Sequence, residues 1–258
     1  MNFKDVTQRE LRLQEQSYKL LLSLSILISP EASGRPPLRT ASQLCDFDFK
    51  VQIQRIREHI GEIMNVANNP LNENQEQRMK SLLGLAHFQI LLRDEWKSTA
   101  LDYRDLIRRF LFENFSADKS ILDLSQRPLL PQGSVSVSHS SLCGGFAITT
   151  VPGVSLGFDI EENERMREQV VARVSSSEEL ETAPSLAALW AAKEAAFKSF
   201  PKGVQPPVMS SISVNSWKKA DDGFYTCEAQ INSHSARAQG VVLINHRQTL
   251  SVFRYTES

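Results

Sequence analysis

The residues best suited to chemistry in this chain are two carboxylates that one short segment presents side by side. In residues 154–161 (Val-Ser-Leu-Gly-Phe-Asp-Ile-Glu) apolar residues alternate with the others, a pattern typical of a half-buried β-strand. Asp159 and Glu161 share the face opposite the apolar residues, about 6.6 Å apart at their Cα atoms. At an effective dielectric constant of about 20, their repulsion costs roughly 2–3 kcal/mol when both are ionised. A hard divalent cation would turn this repulsion into attraction, so the pair predicts half of a magnesium site, with Gly157 leaving room for a ligand.

A third carboxylate comes from an Ala- and Leu-rich segment further along the chain. Residues 186–198 contain neither Gly nor Pro and are expected to form a helix. Glu194 lies one turn after Trp190 on the apolar stripe of that helix, where a carboxylate needs a partner or a cation. Lys198 lies one turn further on the same side, whereas Lys193 is offset by about 100°. An ordinary exposed i, i+4 Glu–Lys pair is the alternative interpretation of this helix.

Together the two segments resemble the signature of the 4′-phosphopantetheinyl transferases. The strand carries Gly-x-Asp-x-Glu from Gly157, and the helix carries Trp-x-x-Lys-Glu-x-x-x-Lys from Trp190. Residues 136–140 (Ser-Val-Ser-His-Ser) are similar to the Ser-His-Ser motif of the larger, monomeric subfamily that acts on synthase carrier domains. Arg127 and the following Pro-Leu stand where that subfamily usually has Gly-Lys-Pro, with Gln126 in place of the glycine. The order of four motifs is more specific than any one of them.

The resemblance also implies an architecture. We expect an α+β protein of two pseudo-symmetric α/β halves of the phosphopantetheinyl transferase type, with the active site at their junction. Residues 1–152 would form a helix-rich N-terminal half that ends in the Ser-His-Ser strand. Residues 153–258 would form the C-terminal half, with the metal-binding strand, the signature helix and a C-terminal meander.

The activity that the resemblance implies is Mg²⁺-dependent transfer of the 4′-phosphopantetheine arm of coenzyme A to a serine of an apo acyl or peptidyl carrier protein, with release of 3′,5′-ADP. It assigns the metal to Asp159, Glu161 and Glu194, and catalysis to Glu194, Lys198 and Asp159, with Glu194 accepting the serine proton directly or through a water. Coenzyme A contacts are expected from five side chains: Arg127, Ser138, His139, Lys193 and Lys198. Among these, Ser138 and His139 are assigned to the 3′-phosphate. A non-catalytic relative that binds carrier protein or coenzyme A, and a Mg²⁺-dependent phosphodiester hydrolase, remain alternatives.

Composition limits the partners and the compartment. The net charge of −1 over 258 residues gives no electrostatic reason to expect a nucleic-acid partner. Cys45, Cys143 and Cys227 are odd in number and lack C-x-x-C spacing, which argues against a disulfide framework or a zinc site and favours a reducing compartment. The apolar residues 20–28 are too few to span a membrane and lack a positively charged flank. We therefore expect a cytoplasmic protein that binds neither membrane nor nucleic acid, and the resemblance implies a monomer.

The pattern of elements changes near residue 134. Residues 5–28 are expected to form a helix or a helix followed by a strand. Helical patterns are expected in residues 49–67 and 74–115, the latter broken once near Ser98. After residue 134, short alternating segments predict strands at 134–138, 145–150, 154–161, 210–217, 223–231, 239–244 and 249–255. Helices are expected at 164–173 and 184–200, and turns at 221–223 and 245–248. This succession predicts the α+β class.

Overall fold

The computed structural model describes residues 71–100, 102–115, 119–233 and 235–257. These residues form two antiparallel sheets and the helices that cover them. The first sheet has the order β1-β3-β2, from β1 (Phe88–Arg93), β2 (Ser134–His139) and β3 (Gly144–Thr149). The second has the order β4-β8-β7-β6-β5, from β4 (Val154–Glu162), β5 (Ile212–Asp221), β6 (Phe224–Ile231), β7 (Arg237–Ile244) and β8 (Gln248–Thr256). The helices are α1 (Glu73–Leu83), α2 (Tyr103–Asn114), α3 (Glu168–Val171), α4 (Ser177–Thr182) and α5 (Leu186–Ser199). The protein is of the α+β class.

The strands predicted from alternation are confirmed, with ends that differ by one to four residues, and the two predicted turns join β5 to β6 and β7 to β8. The expected helical region 74–115 is wrong in its middle, because Phe88–Arg93 is a strand that pairs with β3. Gly84 ends α1 there with a φ of 63°. The expected helix 164–173 is reduced to a 3₁₀ turn and the single-turn helix α3. The expectations for residues 5–28 and 49–67, and Cys45, lie outside the described residues.

The core forms three clusters around the sheets. Helix α2 covers one face of the first sheet, where Trp96, Ile107 and Phe146 are buried. The other face of that sheet and α1 pack on the second sheet through residues such as Met79, Ile90 and the alternating apolar side chains of β4. Helix α5 covers the far face of the second sheet through its small residues and Phe200. Within the described ranges, no helix has the length and apolarity to cross a membrane.

The turn between β3 and β4 coincides with the predicted division at residue 152. All described residues nevertheless belong to one compact unit, which spans Gln54–Ser258. The division into halves and their pseudo-symmetry stay predictions.

Alternate serines of β2 join the two sheets. Backbone N–H groups at every second position of β4 donate to their hydroxyls: Leu156 N to Ser134 Oγ (2.9 Å), Phe158 N to Ser136 Oγ (2.9 Å) and Ile160 N to Ser138 Oγ (3.3 Å). The edge N–H groups of β4 therefore find side-chain acceptors where a further strand would have supplied carbonyls. This serine ladder holds the strand that carries Asp159 in register with the strand that carries His139.

The backbone of α5 lies directly on β4 at Gly157. A Cβ atom built on Gly157 would overlap the carbonyl oxygen of Ala195 and would lie 2.5 Å from the backbone nitrogen of Ser199. The interpretation of Gly157 as room for a ligand is therefore wrong, because α5 fills that space. The missing side chain instead allows α5 to approach β4 closely enough for their polar residues to meet.

Glu76 on α1 offers a test of how α1 packs against β1. Burial raises the pKa of its carboxyl from 4.5 to about 7, although Ile90 N donates to Oε1 at 3.3 Å and Lys80 lowers the pKa. The folded protein binds this proton more tightly than the unfolded chain, so its stabilising contribution is present below pH 4.5 and is lost as the pH rises through 7. We expect the wild type to lose up to about 3 kcal/mol of unfolding free energy over this range, and Glu76→Gln to be spared that loss.

Urea denaturation of both proteins at pH 4.5 and at a pH above 7 measures the difference. Glu73→Gln, a change at an exposed glutamate of the same helix, is the control and should follow the wild type. Parallel pH dependence in the wild type and the Glu76 variant would contradict this assignment.

Candidate functional site

Side chains of β4 and α5 meet over the second sheet, beside the serine ladder. Lys198 Nζ lies 2.6 Å from Asp159 Oδ1 and 3.4 Å from Glu194 Oε2, and it also donates to the carbonyl of Phe158 at 3.3 Å. The i, i+4 spacing of Glu194 and Lys198 places both on the side of α5 that faces β4. The structure thus brings Asp159, Glu194 and Lys198 together.

Glu161 belongs to the same electrostatic cluster. Burial and the charges of Asp159 and Glu194 raise its pKa to about 8, against the opposing effects of Lys198 and a hydrogen bond from the Trp190 indole. Burial and the charge of Asp159 also raise the pKa of Glu194. Three acids thus share one ammonium group, and burial together with their mutual repulsion favours retention of protons on Glu161 and Glu194 unless a further cation compensates their charge.

The acids of the cluster also affect the ammonium group of Lys198. Burial lowers its pKa, but the charges and hydrogen bonds of Asp159 and Glu194 raise it more. The i, i+4 pair of the alternative interpretation does exist, with Glu194 33% and Lys198 28% exposed. It is not an ordinary solvated pair, because the shorter contact of Lys198 is to the Asp159 side chain, which is only 4% exposed.

The acidic cluster has the chemistry of a divalent-cation site. The Oδ2 atom of Asp159 is buried and has no hydrogen-bond partner among the residues that the structure describes. Carboxylate oxygens are the donors that Mg²⁺ prefers, and an excess of them over cationic side chains favours its binding. Nowhere in the described part of the chain are three His, Cys, Asp or Glu side chains arranged so that they could hold a metal ion as they stand. The donor set fits Mg²⁺, while the ammonium of Lys198 is the cation that contacts Asp159 here.

Ser138 and His139, at the end of β2, reach the cluster from the first sheet. Ser138 Oγ donates to Asp159 Oδ1 at 2.7 Å. His139 Nε2 lies 2.9 Å from the Tyr103 hydroxyl, to which Arg104 Nε donates at 3.0 Å. Burial and the charges of Arg104 and Lys198 lower the pKa of His139, so its imidazole is neutral at pH 7.

Tyr103 and Arg104 were not identified from the sequence. They are the first two residues of α2. Tyr103 precedes His139 by 36 residues in the chain, and no motif links the two segments. Trp190 was interpreted only as part of an apolar stripe, although its indole N–H also serves Glu161. The donor character of tryptophan, one turn before Glu194, was the signal available in the sequence.

Arg127 contacts the end of α5. Its guanidinium donates to the backbone carbonyls of Lys198 (3.0 Å), Phe200 (2.9 Å) and Phe197 (3.3 Å). The last carbonyls of a helix lack partners within the helix, and a cation there also complements the helix dipole. Arg127 therefore holds the end of the helix that carries Glu194 and Lys198, and it does not reach the acidic cluster itself.

Lys193 is separate from the other expected site residues. It is fully buried on another side of α5, where Nζ pairs with Glu179 Oε1 at 2.8 Å and donates to the carbonyl of Ile212 at 2.7 Å. Glu179 also accepts from Val214 N and from Ser176 N, the N-cap of α4. The offset of about 100° between successive residues of a helix separates Lys193 from Glu194. The structure thus does not bring Lys193 to the cluster.

Comparison with known families gives one match. Residues 155–248 match the family model of the 4′-phosphopantetheinyl transferase superfamily, which supports the resemblance seen in the sequence. The matched range contains Asp159, Glu161, Glu194 and Lys198, whereas Ser138 and His139 precede it. No curated protein matches the chain significantly.

Proposed function

We propose that this member of the 4′-phosphopantetheinyl transferase superfamily moves the phosphopantetheine arm of coenzyme A onto a serine of an apo acyl or peptidyl carrier protein, in a Mg²⁺-dependent reaction that releases 3′,5′-ADP. The superfamily match supports the transferase class. The observation that carries the proposal is the meeting of three carboxylates with one ammonium group, all from the matched range. A transferase acting on a pyrophosphate needs this kind of charge arrangement more than a nucleophile of its own.

The roles of the acidic residues follow from their charges and burial. Asp159, Glu161 and Glu194 would hold Mg²⁺, with the orphaned Oδ2 of Asp159 as the most buried donor. When bound, the ion would neutralise the pyrophosphate and polarise a phosphoryl oxygen.

The bond changes are those of a phosphoryl transfer. The carrier serine oxygen bonds to the phosphorus that bears the pantetheine arm, and the bond from that phosphorus to the bridging oxygen breaks, so that 3′,5′-ADP leaves. Glu194 accepts the serine proton, directly or through a water. General-base help of this kind contributes about 10²–10⁴-fold. Lys198 balances the charge that develops on the leaving group.

We assign His139 to the 3′-phosphate of coenzyme A, since the positive charges of Arg104 and Lys198 act on its ring, with the negative charge of Asp159 as a smaller opposing effect. His139→Ala should raise the KM for coenzyme A by roughly tenfold, the effect of one hydrogen bond to a charged group, and should change kcat little. With 3′-dephospho-coenzyme A the same change should leave KM nearly unaltered. Steady-state kinetics with both substrates measure the difference.

His246→Ala is the matched control, because His246 is exposed in the turn between β7 and β8. Equal losses on the two substrates would show that His139 does not bind the 3′-phosphate.

A cytoplasmic location and a monomeric state remain part of this proposal.

One assay tests the function and its alternatives. The protein is incubated with coenzyme A, Mg²⁺ and an apo carrier protein, and the carrier is then weighed by mass spectrometry. The proposal expects a mass gain of one phosphopantetheine arm, lost when the carrier serine is replaced by alanine. An unchanged carrier mass with intact coenzyme A would indicate a binding protein, and release of the arm to solvent would indicate a hydrolase; either outcome would overturn the proposed transfer.

A further inference from the structure

We infer that Ser138 is a positioning residue for Asp159: its hydroxyl holds one carboxylate oxygen and leaves the other free for the cation. The inference rests on the proposed function, and it gives Ser138 a different task from the phosphate contact that the resemblance implied. The serine would act through Asp159 and would not touch the substrate.

The contacts of the Ser138 hydroxyl carry this inference. Its oxygen accepts from Ile160 N at 3.3 Å and donates to Asp159 Oδ1 at 2.7 Å. A hydroxyl has a single hydrogen to donate, so the bond to Asp159 uses it. Ser138 is also 6% exposed, enclosed between the two sheets, which keeps the hydroxyl away from solvent.

The two oxygens of Asp159 are treated differently. Oδ1 has two donors, the Ser138 hydroxyl and the Lys198 ammonium at 2.6 Å. Oδ2 is buried and has no hydrogen-bond partner in the described part of the chain. Two donors on one oxygen fix the rotation of the carboxylate, and the remaining oxygen is the one whose burial is uncompensated. This is how outer partners orient a metal-ligating carboxylate, and their loss typically weakens metal binding 10–100-fold.

Ser136 provides a matched comparison within the same ladder. It is 6% exposed like Ser138, and its hydroxyl accepts from Phe158 N at 2.9 Å. It has no carboxylate partner among its hydrogen bonds within the described residues. Alanine at either position removes one link of the ladder, but only Ser138→Ala also removes a hydrogen bond to Asp159 Oδ1 and leaves Lys198 as its one remaining donor among the described residues.

Binding of Mn²⁺ to the full-length protein tests the inference without any turnover. Titration followed by electron paramagnetic resonance should show Mn²⁺ affinity reduced about tenfold in Ser138→Ala and changed less than about twofold in Ser136→Ala. Thermal melts check that both variants fold. If Ser138→Ala is too unstable, the isosteric pair Ser138→Thr and Ser138→Val replaces it, and only the variant that keeps the hydroxyl should bind Mn²⁺ like the wild type. Equal affinities within either pair would overturn the inference.

Kinetics separate positioning from a direct phosphate contact. Ser138→Ala should raise the Mg²⁺ concentration for half-maximal transfer about tenfold, by the same factor with coenzyme A and with 3′-dephospho-coenzyme A. A loss confined to coenzyme A would overturn positioning in favour of a phosphate contact. A wild type that binds Mn²⁺ but transfers nothing would refute the proposed function, and the Mn²⁺ titration would still decide the role of Ser138.

Discussion

Replacement of Asp159 by asparagine is expected to lower phosphopantetheine transfer by about 10²–10³-fold or more and to remove its response to Mg²⁺. Asp159 is the most buried acid of the cluster, at 3% exposed, and its Oδ2 atom has no donor within the described ranges. Asparagine keeps the shape of the side chain but replaces an anionic oxygen with a nitrogen that cannot bind a cation. The rate of carrier modification, measured over a series of Mg²⁺ concentrations, tests the expectation.

The fold should survive this change. Lys198 retains its contact with Glu194, and removal of one negative charge relieves the repulsion that raises the pKa of Glu161. Asp159→Asn should therefore melt within a few degrees of the wild type. Glu164→Gln, at an exposed position just after β4, is the control and should retain full activity. Undiminished, Mg²⁺-responsive transfer by Asp159→Asn would refute the metal assignment.

Gly157→Ala should damage the protein through its packing. The new methyl group would overlap the Ala195 carbonyl, which belongs to a helix backbone and cannot rotate aside. Helix α5 would have to move away from β4, which we expect to cost at least about 3 kcal/mol and to lower Tm by roughly 10 °C. Because α5 carries Glu194 and Lys198, transfer should fall even at temperatures at which the variant is folded. Circular dichroism melts and the transfer assay measure the two effects.

Gly203→Ala is the matched control for this experiment. Gly203 lies in the loop after α5, and a Cβ atom there would have no neighbour within 4 Å. This variant should melt and react like the wild type. A Gly157→Ala protein with unchanged Tm would show that α5 does not lie as closely on β4 as the structure has it.

The parts of the fold that the sequence predicted well are those determined by local pattern. Alternation identified β4 because its apolar side chains enter a core on one face only. It failed for β1, where Ile90, Leu91 and Leu92 form a continuous apolar run that is compatible with either a helix or a strand. Pairing with β3, more than 50 residues away by the register of Phe88 with Thr149, decides the outcome there. Such pairing leaves no local signal.

In the candidate site, too, the sequence indicated what local pattern determines and missed what long-range packing determines. Helical periodicity alone directed Glu194 and Lys198 to one side of α5 and Lys193 to another. It did not predict that Lys193 would find Glu179, because that pairing depends on where α4 packs. For Arg127, motif position suggested a nucleotide contact, whereas its three carbonyl acceptors at the end of α5 depend on the fold of the loop before β2.

The serine ladder makes the spacing between the two sheets depend on side chains. In an uninterrupted sheet, peptide carbonyls set the distance between neighbouring strands, and no substitution can alter it. Here the distance between β2 and β4 is set by three hydroxymethyl groups. A single change of residue at the ladder can therefore widen, tilt or tighten the gap between the histidine and the acidic residues while both hydrogen-bonded sheets stay intact. Relatives with other residues at these three positions would differ in the distance between the residues that correspond to His139 and Asp159.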